Sequence, residues 1–340
     1  MMIEFLAKLV RQEDLTEEEA SRAMELIMRD DATPSQIAGL IVALRLKGET
    51  PDEIAGMART AMAHATRIDL PDRQSLLDVV GTGGDGSHSF NISTLSAIVA
   101  AACGARVAKH GNRAASSSCG AADVLEALGV RIDLPPAAVA ACVQEIGIGF
   151  LFAPRFHPAF RFAALPRREL GVRTVFNVLG PLCNPAGAGR RALGVADPSL
   201  MPKMANALVR MGVENALVFN SAELDELSTT GPSQVVEVAA GRQSQYVLEP
   251  SSLGLQPASA ADLRGGDPER NAEIARAVLE GERGPRRDIV LLNASAALRA
   301  SGLAGDWHEG LGLAAEAIDR GRAADLLNRW VHASQVAAQA

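Results

Sequence analysis

Through the first 68 residues, apolar side chains return every three or four positions, the spacing of helices that bury one face. The stretch LTEEEASRAMELIM predicts a helix with Thr16 as its N-cap and Glu19 as the reciprocal partner three residues on. TPSQIAGLIVALRLKG uses the same solution: Thr33 caps, Pro34 opens the first turn, Gln36 reciprocates and Gly48 stops the helix. TPDEIAGMARTAMAHA repeats it with Thr50, Pro51 and Glu53. The likeness of TPSQIAG to TPDEIAG recurs after 17 residues, too short a period for a solenoid. Two adjacent helices with one capping solution account for it.

The pattern changes near Asp69. Short apolar runs that end in glycine now alternate with longer helical stretches. SLLDVVG, ARVAKHG, IGFLFAP and ENALVFN predict strands. STLSAIVAAACG, AADVLEALGV, PPAAVAACVQEIG, MPKMANALVRMG and PERNAEIARAVLEG predict helices. QVVEVAAGRQSQYVLEP predicts two strands around Gly241, and RDIVLLNASAALRASG a strand running into a helix. The last 33 residues, from HEGLGLAAEAI onward, predict a helical pair. The fold class is therefore α/β: a small N-terminal helical domain over residues 1–68, then a large α/β domain over 69–340 with a central, mostly parallel sheet. Residues 177–198, NVLGPLCNPAGAGRRALGVADP, are too punctuated to form one element and suit a connection between the two bodies. The join between them is a natural ligand cleft.

Bulk properties narrow the function. A net charge of −7 argues against broad electrostatic binding of nucleic acid and leaves room only for a local basic pocket. No apolar run approaches the length of a membrane span, and the N-terminus lacks a secretory signal. Cys103, Cys119, Cys142 and Cys183 are scattered without metal-ligand spacing, so a reducing cytoplasm is the simplest compartment.

The chemistry concentrates where strands end. Gly81, Thr82, Gly83, Gly84 and Asp85 follow the first strand, and glycines there let main-chain N–H groups approach an anion. The run is neither a dinucleotide fingerprint nor a P-loop. Taken alone it is equally a structural turn. Asn91, Ser93 and Thr94 open the next helix; either hydroxyl serves as N-cap, and a helix N-terminus beside a glycine loop is also a phosphate site. Lys109, His110, Gly111, Asn112 and Arg113 close the next strand, placing two cations at the same sheet edge. Lys109 suits a point contact to phosphate. Arg113 either does likewise or pins its loop in an ion pair. Asp225 and Glu226 follow the strand ALVFN, where adjacent carboxylates are either surface charge or ligands for Mg²⁺. Arg167 and Arg168 end a predicted helix; one of them forks onto a substrate carboxylate, or both complement the helix terminus. His157 orients a pocket or caps a helix, while His88, His64, His308 and His332 have no evident partners. Glu223 carries no assigned role. The sum is an enzyme that binds a diphosphate between a glycine loop, a helix N-terminus and a lysine, with Mg²⁺ on Asp225 and Glu226.

With these residues in hand, the chain resembles the anthranilate phosphoribosyltransferase family. The resemblance runs through GTGGDG at 81–86, NIST at 91–94, KHGNRAASS at 109–117, ADVLEALG at 122–129 and HPA at 157–159. It continues through RRELGVRTVFNVLGPLCNP at 167–185, LDELSTTGP at 224–232, the stretch 263–288 and LLNASAAL at 291–298. It implies a nucleoside-phosphorylase-like fold, a homodimer paired through the small domain together with part of 165–195, and transfer of the phosphoribosyl group of phosphoribosyl diphosphate (PRPP) to the amine of anthranilate, a step of tryptophan biosynthesis. It assigns the PRPP site to Gly81, Thr82, Gly83, Gly84, Asp85, Asn91, Ser93, Thr94, Lys109, Ser117 and Cys119. Gly81, His110, Asn112, His157 and Arg167 fall to anthranilate, with Arg167 on its carboxylate. Ser93, Asp225 and Glu226 fall to two Mg²⁺ per monomer, brought partly with PRPP. No residue is required as a general acid or base, and neither nucleic acid nor membrane is implied as a partner.

The chain departs from the family at Ser118, where a longer basic side chain is common, and at Cys119, where serine is common. Asn220, Ser221, Ala222 and Glu223 replace the family's usual approach to the acidic pair, which bears on the metal geometry. A pyrimidine-nucleoside phosphorylase of the same fold would use inorganic phosphate in place of PRPP; Asn112 and Arg167 in their contexts argue against it. A nucleic-acid-binding relative would lose GTGGD or the acidic pair, and both are kept.

Overall fold

The computed structural model describes residues 1–114, 118–222 and 224–338. Four helices come first: α1 (Met2–Val10), α2 (Glu17–Met28), α3 (Pro34–Lys47) and α4 (Pro51–Ala63). Each of the last three opens on the expected reciprocal cap: Thr16 with Glu19, Thr33 with Gln36 and Thr50 with Glu53. Then follow β1 (Leu77–Gly81), α5 (Ile92–Ala102), β2 (Val107–Gly111), α6 (Ala121–Ala127), α7 (Pro136–Glu145) and β3 (Ile148–Phe152). Three helices, α8 (Ala153–Phe156), α9 (Arg161–Leu170) and α10 (Phe176–Leu182), separate β3 from β4 (Arg190–Gly194). The rest is α11 (Met201–Arg210), β5 (Asn215–Ser221), β6 (Ser233–Ala239), β7 (Arg242–Leu248) and α12 (Pro268–Leu279), then α13 (Pro285–Ser301), α14 (Trp307–Asp319) and α15 (Arg322–Ala337).

The seven strands form one sheet in the order β3-β2-β1-β4-β5-β6-β7. The first five are parallel, and β6 and β7 are antiparallel additions. The hairpin turns at Ala240 and Gly241, both with positive φ, the conformation a tight two-residue turn requires. The chain winds from β1 outward to β3, returns to β4 on the other side of β1, and winds outward again. The direction reverses between β1 and β4, whose last paired residues are Gly81 and Gly194. Open parallel sheets bind ligands beyond the strand ends at such a reversal.

Alternation along the strands divides the core. Val79, Ala192, Leu217 and Val235 face α5 and the C-terminal helices. Val80, Leu193, Val218 and Val236 face the other way, into one apolar cluster with α1–α4 and residues of α9, α10 and α11. The N-terminal helices thus share a core with one face of the sheet. Residues 177–198 supply most of α10 and all of β4, carrying the chain from that bundle into the sheet.

Two sequence expectations are corrected. RDIVLLNASAALRASG forms no strand: it lies within the single helix α13, opened by Pro285 and buried on nearly every side. A fully buried helix loses its 3.6-residue periodicity, so its IVLL segment imitates a core strand. Neither Ser93 nor Thr94 is the N-cap of α5; Asn91 occupies that position, and a carboxylate from elsewhere serves the first turn, as described next.

Candidate active site

Three elements meet where β1 and β4 end. The loop after β1 is held from the neighbouring strands: the Thr82 N–H donates to the Gly194 carbonyl at 3.0 Å, and Thr82 Oγ1 accepts the Ala196 N–H at 3.0 Å. Asp225 reaches in from the loop after β5. Its Oδ2 accepts the Gly83 N–H at 2.6 Å, and its own N–H donates to Asp85 Oδ2 at 3.3 Å. This approach explains two glycines. A Cβ on Gly81 would strike the Asp225 carboxylate, and one on Gly194 the Asp225 main chain. Asp85 is in turn fixed by Ser87, whose N–H and Oγ donate to its two oxygens at 3.0 and 2.9 Å.

Glu226 completes the link to α5. Its Oε1 accepts the Ser93 N–H at 3.0 Å, so this carboxylate satisfies a first-turn donor that a side-chain cap would otherwise take. Burial and the facing charge of Asp85 push the Asp225 carboxyl up to about 7. Burial and Asp225 together raise Glu226 well above the usual carboxylate range, with Lys109 opposing. These oxygens are short of positive charge. They suit a hard divalent cation, although no three His, Cys, Asp or Glu side chains converge into a metal cage among the described residues.

Lys109 is buried within β2. Its ammonium donates to the Val79 carbonyl at 2.5 Å and lies 3.5 Å from Ser93 Oγ, between β1 and the start of α5. Burial lowers its pKa, with the charges of Asp78, Glu226 and Asp225 opposing the shift. Thr94 is buried, and its hydroxyl has no partner among the described residues. The Asn91 amide donates to the Cys119 carbonyl at 3.1 Å, and its oxygen accepts from Asn271 of α12 at 2.9 Å. Cys119 thus meets Asn91 through its main chain; burial raises its thiol pKa to about 11. Arg113 takes the second of its two sequence-based readings. It pairs with Asp123 and Glu126 on α6, while Asp123 also accepts the Ala114 and Gly120 N–H groups. Asn112 is exposed beside it. Ser117 and Glu223 lie outside the described residues.

A different environment adjoins the end of β2. His110 and His157 are buried, their ring centroids 5.1 Å apart. His157 stacks on Phe160 at 4.9 Å, Phe160 meets Phe176 edge-on at 5.8 Å, and the Arg167 guanidinium lies over Phe176 at 5.2 Å. Each imidazole has one nitrogen on a main-chain carbonyl, Gly180 for His110 and Cys183 for His157, and one buried nitrogen without a partner among the described residues. Burial lowers their pKa values to about 4 and about 3, so both rings are neutral at pH 7. Arg167 has no carboxylate partner among the described residues, and burial lowers its pKa. Arg168 points away into solvent, and His88 is an exposed loop residue.

Three contributors escaped the sequence reading. Asn271 orients Asn91 from 180 residues away and also accepts the Gly266 N–H. Arg173 donates to the Gly83 carbonyl at 2.6 Å. Asp78, wholly buried in β1, accepts the His110 N–H at 3.0 Å. Local pattern does not signal such long-range pairings; the Asp267-Pro268 helix start was the only nearby cue, and it locates α12 without locating its partner.

Residues 3–65 match the helical bundle domain of a glycosyl transferase family, and residues 73–324 match its a/b domain. Anthranilate phosphoribosyltransferase 2 of Streptomyces coelicolor is 57% identical over 324 residues, 95% of this chain and 96% of that protein. The crystal structure of the anthranilate phosphoribosyltransferase of Thermus thermophilus superposes with a TM-score of 0.93 at 49% identity, covering 97% of this chain and 99% of that one. The Saccharomyces cerevisiae enzyme, solved with PRPP and Mg, gives 0.89 at 29% identity over 98% of each chain; solved with 4-fluoroanthranilate it gives 0.88 at 28%, again over 98% of each. The chain belongs to the anthranilate phosphoribosyltransferases of this glycosyl transferase family.

Proposed function

We propose that the two environments at the β1/β4 ends hold the two substrates of one reaction. The chain is an anthranilate phosphoribosyltransferase of tryptophan biosynthesis: it transfers the phosphoribosyl group of PRPP to the anthranilate amine and releases pyrophosphate. The observation that carries the division of the site is the placement of Asp225, Glu226 and Ser93 around the Gly81–Asp85 loop. The loop and the Ser93 end of α5 take the phosphates, with Asn91, Thr94, Lys109, Ser117 and Cys119 as the further residues assigned to PRPP. Main-chain N–H groups are fixed donors that need no rearrangement as charge builds on the leaving diphosphate. Lys109 adds a charge held in place by the Val79 carbonyl.

The carboxylates of Asp225 and Glu226, with Ser93, would hold Mg²⁺; their raised pKa values show how poorly the fold alone compensates them. Bound Mg²⁺ supplies positive charge that offsets the departing pyrophosphate. We count two ions per monomer, the remaining ligands coming from PRPP and water, as is usual for Mg²⁺. Arg167 meets the anthranilate carboxylate, and Gly81, His110, Asn112 and His157 line that side. The neutral imidazoles add no charge that would repel the ring. Anthranilate's amine is nucleophilic without a base, so alignment and the exclusion of water are the protein's remaining tasks.

We further assign residues 1–68 to a small domain that pairs two copies into a homodimer, and residues 69–340 to the catalytic domain. No described helix is long and apolar enough to cross a membrane. Cys103, Cys142 and Cys183 are thiols, which agrees with a reducing cytoplasm. The test mixes the protein with anthranilate, PRPP and Mg²⁺ and follows anthranilate fluorescence and pyrophosphate, with a chelator control. Equal, metal-dependent loss of anthranilate and gain of pyrophosphate is expected. Pyrophosphate release that proceeds without anthranilate consumption would overturn the reading.

A further inference from the structure

We infer that Arg173 is a positioning residue of the donor site: it sets which face of the Gly83–Gly84 peptide the loop presents to the diphosphate. This rests on the reading of the loop as the diphosphate cradle. Gly83 and Gly84 have φ of 68° and 73°, and both are exposed. Two successive glycines leave the peptide between them free to turn over at little steric cost. The loop sequence therefore does not by itself fix the peptide's direction.

Arg173 fixes it. Its Nη1 donates to the Gly83 carbonyl at 2.6 Å. In a trans peptide the carbonyl and the following N–H point in opposite directions. The Gly84 N–H is thereby turned away from Arg173, and it has no hydrogen-bond partner among the described residues. Gly83 is clamped on its other side too, where its own N–H is bound by Asp225. The φ of 73° at position 84 favours glycine there, and a Cβ would also meet the Arg173 guanidinium and force it to shift.

Arg173 makes no salt bridge among the described residues: its charge only adds to Ser199 and Arg45 in holding the Asp197 carboxyl below the usual carboxylate range, and its hydrogen bond goes to the loop. Its backbone is set by the turn into α10, where the Thr174 N–H donates to Asn177 Oδ1 at 2.9 Å. The same segment joins Arg167 at the end of α9 to Phe176 at the start of α10. Arg173 thus ties the donor loop to the segment that lines the acceptor side.

The test compares Arg173→Met, which keeps the stem and loses the donor, with Arg173→Lys, which keeps one donor. PRPP with Mg²⁺ is titrated calorimetrically without anthranilate, and KM is measured for each substrate. For Arg173→Met, PRPP affinity falls roughly tenfold, the loss typical of a charge-assisted hydrogen bond, while the anthranilate KM at saturating PRPP stays within about twofold. Arg173→Lys recovers most of the loss. Unchanged PRPP affinity in Arg173→Met would overturn the inference, as would equal weakening of both substrates with a lowered Tm. Failure of the unmodified protein to bind PRPP would instead overturn the reading of the loop.

Discussion

The two sides of the β1/β4 crevice are built by opposite means, in keeping with the two ligands proposed for them. On the donor side, main-chain amides, a buried lysine and two acidic residues are tied together by hydrogen bonds between loops far apart in sequence. On the acceptor side, two neutral imidazoles and two phenyl rings form a contiguous aromatic row that ends in one guanidinium. The difference matches the chemistry. A leaving diphosphate gains charge as the bond breaks, so fixed dipoles and cations stabilise the transition state more than the ground state. An aromatic amine acid needs a shaped apolar wall and one charged anchor, because an amine that attacks as a neutral molecule needs no charged base.

The sharpest way to break this comparison is to neutralise the acids. Asp225→Asn and Glu226→Gln are expected to lower kcat by roughly 100-fold or more, the scale of losing metal charge stabilisation. Folding should hardly change, because each carboxylate is already strained by burial and a like-charged neighbour. Thermal unfolding alongside steady-state kinetics checks this; variants that lose Tm in step with activity would assign the pair to the fold alone.

The acceptor side is broken at Arg167. Arg167→Ala should raise the anthranilate KM roughly tenfold to a hundredfold, the range for a charged hydrogen-bond pair, and leave the PRPP KM nearly unchanged. A two-substrate kinetic matrix separates the two constants. An unchanged anthranilate KM would remove Arg167 from the site.

The neutral histidines offer a third test, through stability. Their folded pKa values, about 4 and about 3, lie below the ordinary value of 6.5. Between these limits the unfolded chain binds more protons, so each histidine makes stability fall as pH falls from 6.5 toward 4. The contribution between pH 7 and pH 5 is about 2 kcal/mol per residue. His110→Asn and His157→Gln should each flatten the pH dependence of urea unfolding by that amount. An unaltered slope would mean that the rings are solvated. The smallest effect is expected at Cys119→Ser. Asn91 meets this residue through its main-chain carbonyl, so the PRPP KM should move by less than about twofold.

The two sides also differ in how far the sequence disclosed them. The glycine loop, the KHGNR strand end and the acidic pair each stand beside a recognisable strand terminus, and parallel-sheet geometry brings strand ends together. The capping boxes were legible for the same reason: Thr16 and Glu19 find each other within one turn. What was illegible lies between elements. Asn271 reaches Asn91, Arg173 reaches Gly83 and His157 reaches His110 only after the chain has folded. Buried position hid α13 in another way, since a helix surrounded by core has no polar face to mark its period. The N-cap of α5 is hidden from the sequence as those long-range contacts are: a first-turn donor is served by Glu226, 133 residues distant.

The division between the sides is tested most directly by titrating PRPP with Mg²⁺ into Arg167→Ala in the absence of anthranilate. The two-sided account predicts PRPP affinity equal to that of the unmodified protein, with anthranilate binding weakened roughly tenfold or more in the same preparation. A fall in PRPP affinity as large as the loss of anthranilate binding would show one undivided site and contradict it.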